Sequence, residues 1–163
     1  MKDSDFNYLG HLLGDLMIES RGTEVAPGYK PDLTIVDRAG QLMFIVECEN
    51  KTDRKAFLGD LIKAEKYAED RKASPTLVIV MEAAPNTTVD QIAKHLKPYA
   101  AWLDGLKPQG LNLAEVLVIS DDQYLSSVRS NEILGSAAFC ARSRVVKSQR
   151  PIEAFQPFPP KNG

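Results

Sequence analysis

Two apolar segments on either side of a tight turn constrain the fold of this chain most. Residues 33–36 (Leu-Thr-Ile-Val) and 42–46 (Leu-Met-Phe-Ile-Val) are rich in the aliphatic and β-branched side chains that favour strands. Between them, residues 37–40 read Asp-Arg-Ala-Gly, a composition typical of a chain reversal. The pattern therefore predicts an antiparallel hairpin.

Acidic side chains gather at one end of this hairpin. Glu47 and Glu49 end the second strand, and because side chains alternate along a strand they project to the same side as Lys51. Asp32 opens the first strand, so the hairpin brings its carboxylate beside them. Carboxylates at the end of an apolar strand repel one another and are costly to bury without a counter-charge. Because Mg²⁺ and Mn²⁺ prefer oxygen ligands, the pattern predicts a metal site.

The same residues carry a family resemblance. Pro31-Asp32, followed after a hairpin by an apolar strand that ends in acid-x-acid-x-Lys, resembles the PD-(D/E)XK signature of the restriction endonuclease-like nucleases. The resemblance implies that Asp32, Glu47 and Glu49 hold Mg²⁺ or Mn²⁺ and act in catalysis. It also implies that Lys51 positions or activates the attacking water.

Two registers of the motif fit the sequence. In the first, residues 49–51 (Glu-Asn-Lys) are the (D/E)XK tripeptide and Glu47 is an additional acid. In the second, residues 47–49 (Glu-Cys-Glu) are the tripeptide, and Glu49 stands where the family usually has Lys. The small apolar middle residue favours the second register, and the presence of Lys51 favours the first.

The remaining elements follow the order that the resemblance requires, α-β-β-β-α-β-α-β. Besides the hairpin, helical spacing of apolar residues, capping residues and apolar runs predict the following: a helix over 4–20, a strand at 23–25, a helix from 52 or 53 to about 68, a strand at 76–81, a helix from 87 or 88 to about 102, and a strand at 116–119. The expected fold is an α/β restriction endonuclease-like core, with a mixed sheet flanked by helices.

Length and composition agree with one compact core. The chain has 163 residues, 44% of them hydrophobic, which is enough to bury a single sizeable core. We expect a nuclease-like core over 1–122, an extension over 123–152 that packs on the core or in a dimer interface, and a flexible Pro-rich tail over 153–163. The absence of a long apolar run and of a secretory signal predicts a cytoplasmic protein without a membrane partner, in which Cys48 is a buried, reduced thiol.

Charge is unevenly distributed along the chain. The net charge is −2, but residues 1–122 carry −6 and residues 123–163 carry +4. Four basic residues lie in a nine-residue stretch without an acid: Arg142, Arg144, Lys147 and Arg150. Such a patch can bind a phosphate backbone, and we assign Arg142, Arg144 and Lys147 to nucleic-acid binding. A solvated basic tail explains the same residues equally well.

Two further residues are candidates by resemblance. The first helix of the family often contributes an acid that orients the water shell of the metal, which here implies Glu19. The second helix often carries groups that contact substrate, which implies Lys63. A solvent-exposed polar helix face is the alternative explanation for both residues.

The resemblance implies a metal-dependent nuclease that hydrolyses phosphodiester bonds. DNA is favoured over RNA as its partner because most of the family cuts DNA. The small size of the chain favours a subunit of a larger assembly, and a homodimer is implied by the many members of the family that act as dimers. One alternative is a catalytically inactive module with a nuclease fold that binds nucleic acid or protein. Another is a scaffold protein that uses the Pro-rich tail as a docking peptide.

Overall fold

The computed structural model describes residues 10–50 and 53–149 of the chain. Within these ranges lie six strands and four helices. In chain order they are β1 (Met17–Arg21), β2 (Leu33–Val36), β3 (Leu42–Glu49), α1 (Arg54–Asp70), β4 (Thr76–Met81), α2 (Val89–Leu106), β5 (Glu115–Ser120), α3 (Asp121–Arg129), α4 (Ala137–Arg142) and β6 (Arg144–Ser148).

The strands form one mixed sheet in the order β1-β2-β3-β4-β5-β6. Strands β1, β2 and β3 make an antiparallel meander, β3, β4 and β5 run parallel, and β6 returns antiparallel to β5. The parallel pairs are connected by α1 and α2, as parallel strands require a crossover. The predicted α/β class and mixed sheet are therefore confirmed, whereas the specific restriction endonuclease-like core stays a prediction.

Apolar side chains form a core on each face of the sheet. On one face, Ile45, Leu77 and Val116 pack in the same core as the buried sides of α1 and α2. On the other face, Val46 and Val80 pack with α3 and α4. Every residue of β4 is buried, which explains its continuous apolar run. The sheet therefore lies between two helical layers.

Helices α1 and α2 begin where the capping residues predict. The Asp53 side chain accepts a hydrogen bond from the Lys55 nitrogen at the start of α1. Thr88 and Gln91 form a reciprocal capping box at the start of α2. The strand predicted at 76–81 matches β4, and those predicted at 33–36 and 116–119 match β2 and β5 to within one residue at each end.

The predicted first helix is wrong over residues 10–20, and the predicted first strand is wrong. Residues 10–16 are not helical, and residues 17–21 form β1, which pairs with β2. Gly14 has a φ of +62°, which a right-handed helix does not allow. Residues 23–25 form no strand, because the chain there enters a turn closed by a bridge between Ala26 and Tyr29. Pairing with β2 outweighs the local helical spacing, and residues 4–9 lie outside the described ranges.

The C-terminal part of the described chain is continuous with the sheet. Helix α3 begins at Asp121, directly after β5, and β6 pairs with β5 along residues 144–148. Val146 of β6 packs in the same core as α1 and α2. The expected division of the chain at residue 122 and its dimer interface stay predictions, and the expected tail over 153–163 lies outside the described residues. None of the helices within 10–50 and 53–149 has both the length and the apolarity needed to cross a membrane.

Candidate metal centre

Four carboxylates line one cavity at the carboxyl end of β3. The cavity has a volume of about 530 Å³, and its lining includes Asp32, Glu47, Glu49 and Asp60. Glu47 and Glu49 face Ile79 and Met81 across the parallel β3–β4 pair. In open α/β sheets, ligands bind at the carboxyl ends of the parallel strands. The cavity therefore lies where this architecture places functional sites.

Two hydrogen bonds hold Asp32 beside the acids of β3. The backbone nitrogen of Cys48 donates to Asp32 Oδ2 over 2.7 Å, and the backbone nitrogen of Asp32 donates to Glu47 Oε2 over 3.4 Å. Both bonds span the hairpin, whose register pairs Leu33 with Val46. The structure therefore brings Asp32 and Glu47 together, as the hairpin predicts.

Asp60 is the fourth acid of the cavity, and sequence reasoning missed it. It lies on α1, is only 7% exposed, and its Oδ2 atom is buried without a hydrogen-bond partner among the described residues. A signal was present in the sequence, because Asp60 lies three residues after Phe57 and four before Ala64, on the apolar stripe of the predicted helix. An acid on a buried stripe is uncommon unless it is paired or functional.

The acids of the cavity raise one another's pKa values. Burial, followed by the charges of Asp32 and Glu49, raises the pKa of Glu47 to about 7, although the nearby Tyr29 hydroxyl and the hydrogen bond from the Asp32 nitrogen oppose the shift. Burial, followed by the charges of Glu47 and Glu49, also raises the pKa of Asp60 well above its usual range. The cavity therefore holds more negative charge than the side chains around it compensate.

Tyr29 contributes a second unsatisfied polar atom. Its side chain is 6% exposed and lines the cavity, and its Oη atom is buried without a hydrogen-bond partner of good geometry in the described structure. Burial, followed by the charge of Glu47, raises the pKa of Tyr29, so the hydroxyl keeps its proton. A phenol beside a carboxylate is suited to donate a hydrogen bond to it or to a polar ligand.

The donor set fits a hard divalent cation by chemistry. All four acids offer oxygen ligands, which Mg²⁺ and Mn²⁺ prefer, and a cation would compensate the charge that raises their pKa values. Within residues 10–50 and 53–149, however, no three His, Cys, Asp or Glu side chains are arranged so that they could hold a metal ion as they stand. Binding of a cation therefore requires side-chain rearrangement in the cavity.

Lys63 lies at the mouth of the same cavity. It follows Asp60 by three residues on α1, is exposed, and its charge lowers the pKa of Asp60, against the larger effects that raise it. Lys30 also lines the cavity and is exposed. Two ammonium groups therefore border a cavity whose floor is acidic.

Two other residues predicted for the metal site are Glu19 and Lys51. The prediction that Glu19 lies on a helix is wrong, because Glu19 is in β1. Its carboxylate accepts a 3.0 Å ion-pair contact from Arg71 and a 3.1 Å hydrogen bond from Thr34. It does not line the carboxylate cavity, and Arg71 compensates its charge. Lys51 lies outside the described residues, so its assigned role stays a prediction.

Three of the four predicted nucleic-acid-binding residues, all except Lys63, form ion pairs. Arg142 contacts both oxygens of Glu132, at 2.7 and 2.9 Å. Arg144 contacts Asp90 and Lys147 contacts Asp104, both at 2.6 Å. Arg142 and Arg144 also line a shared cleft of about 480 Å³ beside Ser120 and Thr88. Much of the local positive charge is therefore compensated within the chain, and nucleic-acid binding by these residues stays a prediction.

Cys48 points away from the acids, as strand alternation predicts. It is 9% exposed and packs in the core that contains Val46, Val80 and Tyr124. The thiol therefore belongs to the face of the sheet opposite the cavity. It offers no soft ligand to a metal ion on the acidic side.

Comparison with known proteins gives no match. No protein-family model, curated protein or solved structure matches the chain. The function must therefore be inferred from the residues of this chain and from the motif that they resemble.

Proposed function

We propose that this chain is a metal-dependent nuclease that hydrolyses phosphodiester bonds in DNA. One observation carries the proposal: Asp32, Glu47 and Glu49 line a single cavity at the carboxyl end of β3. These are the residues that the PD-(D/E)XK resemblance implies, and the cavity has an unmet need for positive charge.

Asp32, Glu47 and Glu49 would hold one or two Mg²⁺ or Mn²⁺ ions. When bound, such an ion polarises the scissile phosphate and lowers the pKa of a water molecule. The hydrogen bond from Cys48 fixes the direction of the Asp32 carboxylate, so its ligand oxygens are held by the backbone. Lys51, by resemblance, aligns the attacking water.

Electrostatics explain why this chemistry needs a cation. A phosphodiester is an anion, and the acids of the cavity repel it where they are ionised, unless a cation neutralises their charge. Lys63 and Lys30 border the cavity and can contact phosphates that flank the scissile one. Without a bound cation the cavity therefore repels the substrate, whereas with a bound cation it attracts the substrate.

A metal titration tests the proposal. We expect Mg²⁺ or Mn²⁺ to raise the melting temperature of the full chain and to support cleavage of plasmid or single-stranded DNA. Asp32→Ala and Glu47→Ala should each abolish both effects, whereas exposed Asp70→Asn on α1 should preserve them. Cleavage that persists in Asp32→Ala, or in the presence of EDTA, would refute the assignment.

One observation favours a second candidate, a nuclease-like module that binds nucleic acid without cutting it. The described acids are not arranged as a ready ligand set. This is the arrangement expected of a site that no longer binds metal. Such a module binds DNA with the same affinity in EDTA and in Mg²⁺. Metal-independent binding without cleavage would select this candidate over the nuclease.

A further inference from the structure

We propose that Asp60 becomes a fourth carboxylate ligand when the side chains of this cavity rearrange around a cation. The inference deepens the proposed function, on which it rests for the identity of the ion. It assigns a role to a helix residue that lies outside the motif, ten or more residues after the acids of β3.

The first argument is the buried Oδ2 atom of Asp60, which has no hydrogen-bond partner in the described structure. Asp60 is only 7% exposed, and no group among the described residues donates a hydrogen bond to Oδ2. Buried polar atoms in native proteins nearly always have a partner, and an unsatisfied one costs about 1–3 kcal/mol, more when it is charged. A cation is a partner that satisfies this oxygen.

Glu65 shows what a structural acid looks like on the same helix. It is 4% exposed, and its two oxygens accept hydrogen bonds from the Asn112 nitrogen, the Asn112 amide, the Leu113 nitrogen and Lys107, all within 3.0 Å. Asp60 is buried to a similar degree, but its nearest charged neighbours include Glu47 and Glu49, and its side-chain hydrogen bond is to the Glu49 carboxyl group. Burial alone therefore does not explain why Asp60 is an acid.

The second argument is the position of Asp60 in the cavity. Asp32 precedes β2, Glu47 and Glu49 lie on β3, and Asp60 comes from α1, so the lining acids belong to three separate elements. The buried hydroxyl of Tyr29 also lines this cavity and lacks a partner of good geometry. Two buried, unsatisfied polar atoms at one cavity indicate a polar occupant, and the acidic lining makes that occupant a cation.

The donor types define the ion. Besides two lysines, the lining side chains offer carboxylate oxygens, a phenol and the Asn50 amide, with no imidazole, and the Cys48 side chain packs on the opposite face of the sheet. Oxygen-only sites favour Mg²⁺ or Mn²⁺ over Zn²⁺, which prefers nitrogen and sulfur ligands. The site therefore takes a hard divalent cation.

Calorimetric titration of the full chain with Mn²⁺ tests this assignment. Asp60→Asn keeps the shape of the side chain, and we expect it to weaken Mn²⁺ binding at least tenfold. The matched control is Asp70→Asn on the same helix, where the exposed carboxylate pairs with Lys66 and should not affect binding. Circular dichroism establishes that both variants are folded. Asp60→Ser, which also lacks the charge, must behave as Asp60→Asn does.

The outcomes separate this inference from the nuclease proposal. If Asp60→Asn binds Mn²⁺ as tightly as the native chain does, or if the native chain binds none, the inference is wrong. Loss of Mn²⁺ binding in Asp60→Asn supports it even if the native chain cuts no nucleic acid. Conversely, Mg²⁺-dependent cleavage that is unchanged in Asp60→Asn supports the nuclease and overturns the role of Asp60.

Discussion

Asp32 Oδ2 accepts a 2.7 Å hydrogen bond from the backbone nitrogen of Cys48, between the two glutamates of β3. The bond ties the residue before β2 to the end of β3, across the open end of the hairpin. Because the donor is a backbone group, the direction of the carboxylate is set by the sheet itself. Asp32 therefore has a structural and a proposed catalytic role, which substitutions can separate.

Asp32→Asn should separate these roles. The amide oxygen can still accept the bond from Cys48, so we expect the free energy of unfolding in EDTA to change by less than about 1 kcal/mol. Asp32→Ala loses the acceptor and should cost roughly 1–2 kcal/mol. Both variants should lower Mg²⁺-dependent cleavage at least ~100-fold, because each lacks a ligand charge. Urea unfolding and a plasmid-cleavage assay measure the two effects. Native-level cleavage by Asp32→Asn would contradict the ligand role.

The raised pKa of Glu47 predicts that the metal-free protein loses stability as pH rises. Because the folded-state pKa is about 7 and the ordinary value is 4.5, the folded state takes up a proton more readily than the unfolded state. The contribution of Glu47 is fully present below pH 4.5 and is lost as pH rises through 7. The shift corresponds to roughly 3 kcal/mol.

Thermal or urea unfolding in EDTA between pH 4.5 and 8 measures this dependence. Glu47→Gln carries no charge at any pH, so its curve should be flatter than that of the native chain, and at pH 8 the variant should be the more stable of the two. Asp60, which retains its own raised pKa, accounts for the slope that remains in the variant. Parallel curves for the two proteins would show that Glu47 is not desolvated.

Much of the fold followed from local patterns. The hairpin, the continuous apolar run of β4 and the capping residues of α1 and α2 each combine side-chain periodicity with a defined boundary, so they fix an element without tertiary information. The segment 10–21 failed for the opposite reason. Its apolar spacing suits a helix, but pairing of β1 with the edge of β2 determines its structure.

The candidate site was predictable only for those of its residues that are close together in the sequence. Asp32, Glu47 and Glu49 lie within one hairpin, so alternation and strand pairing bring them together. Asp60 comes from the next helix, and its approach to the cavity depends on how α1 packs on the sheet, which the sequence does not specify. Glu19 was misplaced together with its element, since a residue assigned to the wrong element acquires the wrong neighbours.

Glu65 provides a prediction on stability that does not involve the cavity. Burial alone would raise the pKa of Glu65, but hydrogen bonds from Asn112, Lys107 and Leu113 lower it. Glu65→Ala leaves these donors unsatisfied and should destabilise the protein by about 3 kcal/mol in urea unfolding. Asp70→Ala removes only an exposed ion pair with Lys66 and should cost at most about 0.5 kcal/mol. Equal effects of the two substitutions would contradict the buried network.

Both the backbone conformation at position 135 and the lack of space around it require glycine there. Its φ is +75°, and a Cβ atom there would lie 2.5 Å from Cζ of Phe44. Gly135→Ala should therefore cost about 3 kcal/mol, from left-handed strain and overpacking together. Gly40 has a similar φ of +78° but open space around it, so Gly40→Ala should cost only about 1 kcal/mol. Urea unfolding compares the two variants, and a similar cost for both would mean that Phe44 moves aside.

Lys63 should contribute to nucleic-acid affinity through charge alone. It lies at the mouth of the carboxylate cavity and is exposed, so its ammonium group can contact a phosphate without breaking an internal network. Lys63→Ala should weaken binding of the full chain to a single-stranded oligonucleotide in Ca²⁺ and reduce the slope of log K against log salt by about 0.7. Lys94→Ala, at an exposed position of α2, is the matched control and should leave the slope unchanged. Arg142→Ala breaks the ion pair with Glu132 and should lower stability as well as any affinity. A salt slope that Lys63→Ala leaves unaltered would place the phosphate backbone on another face of the protein.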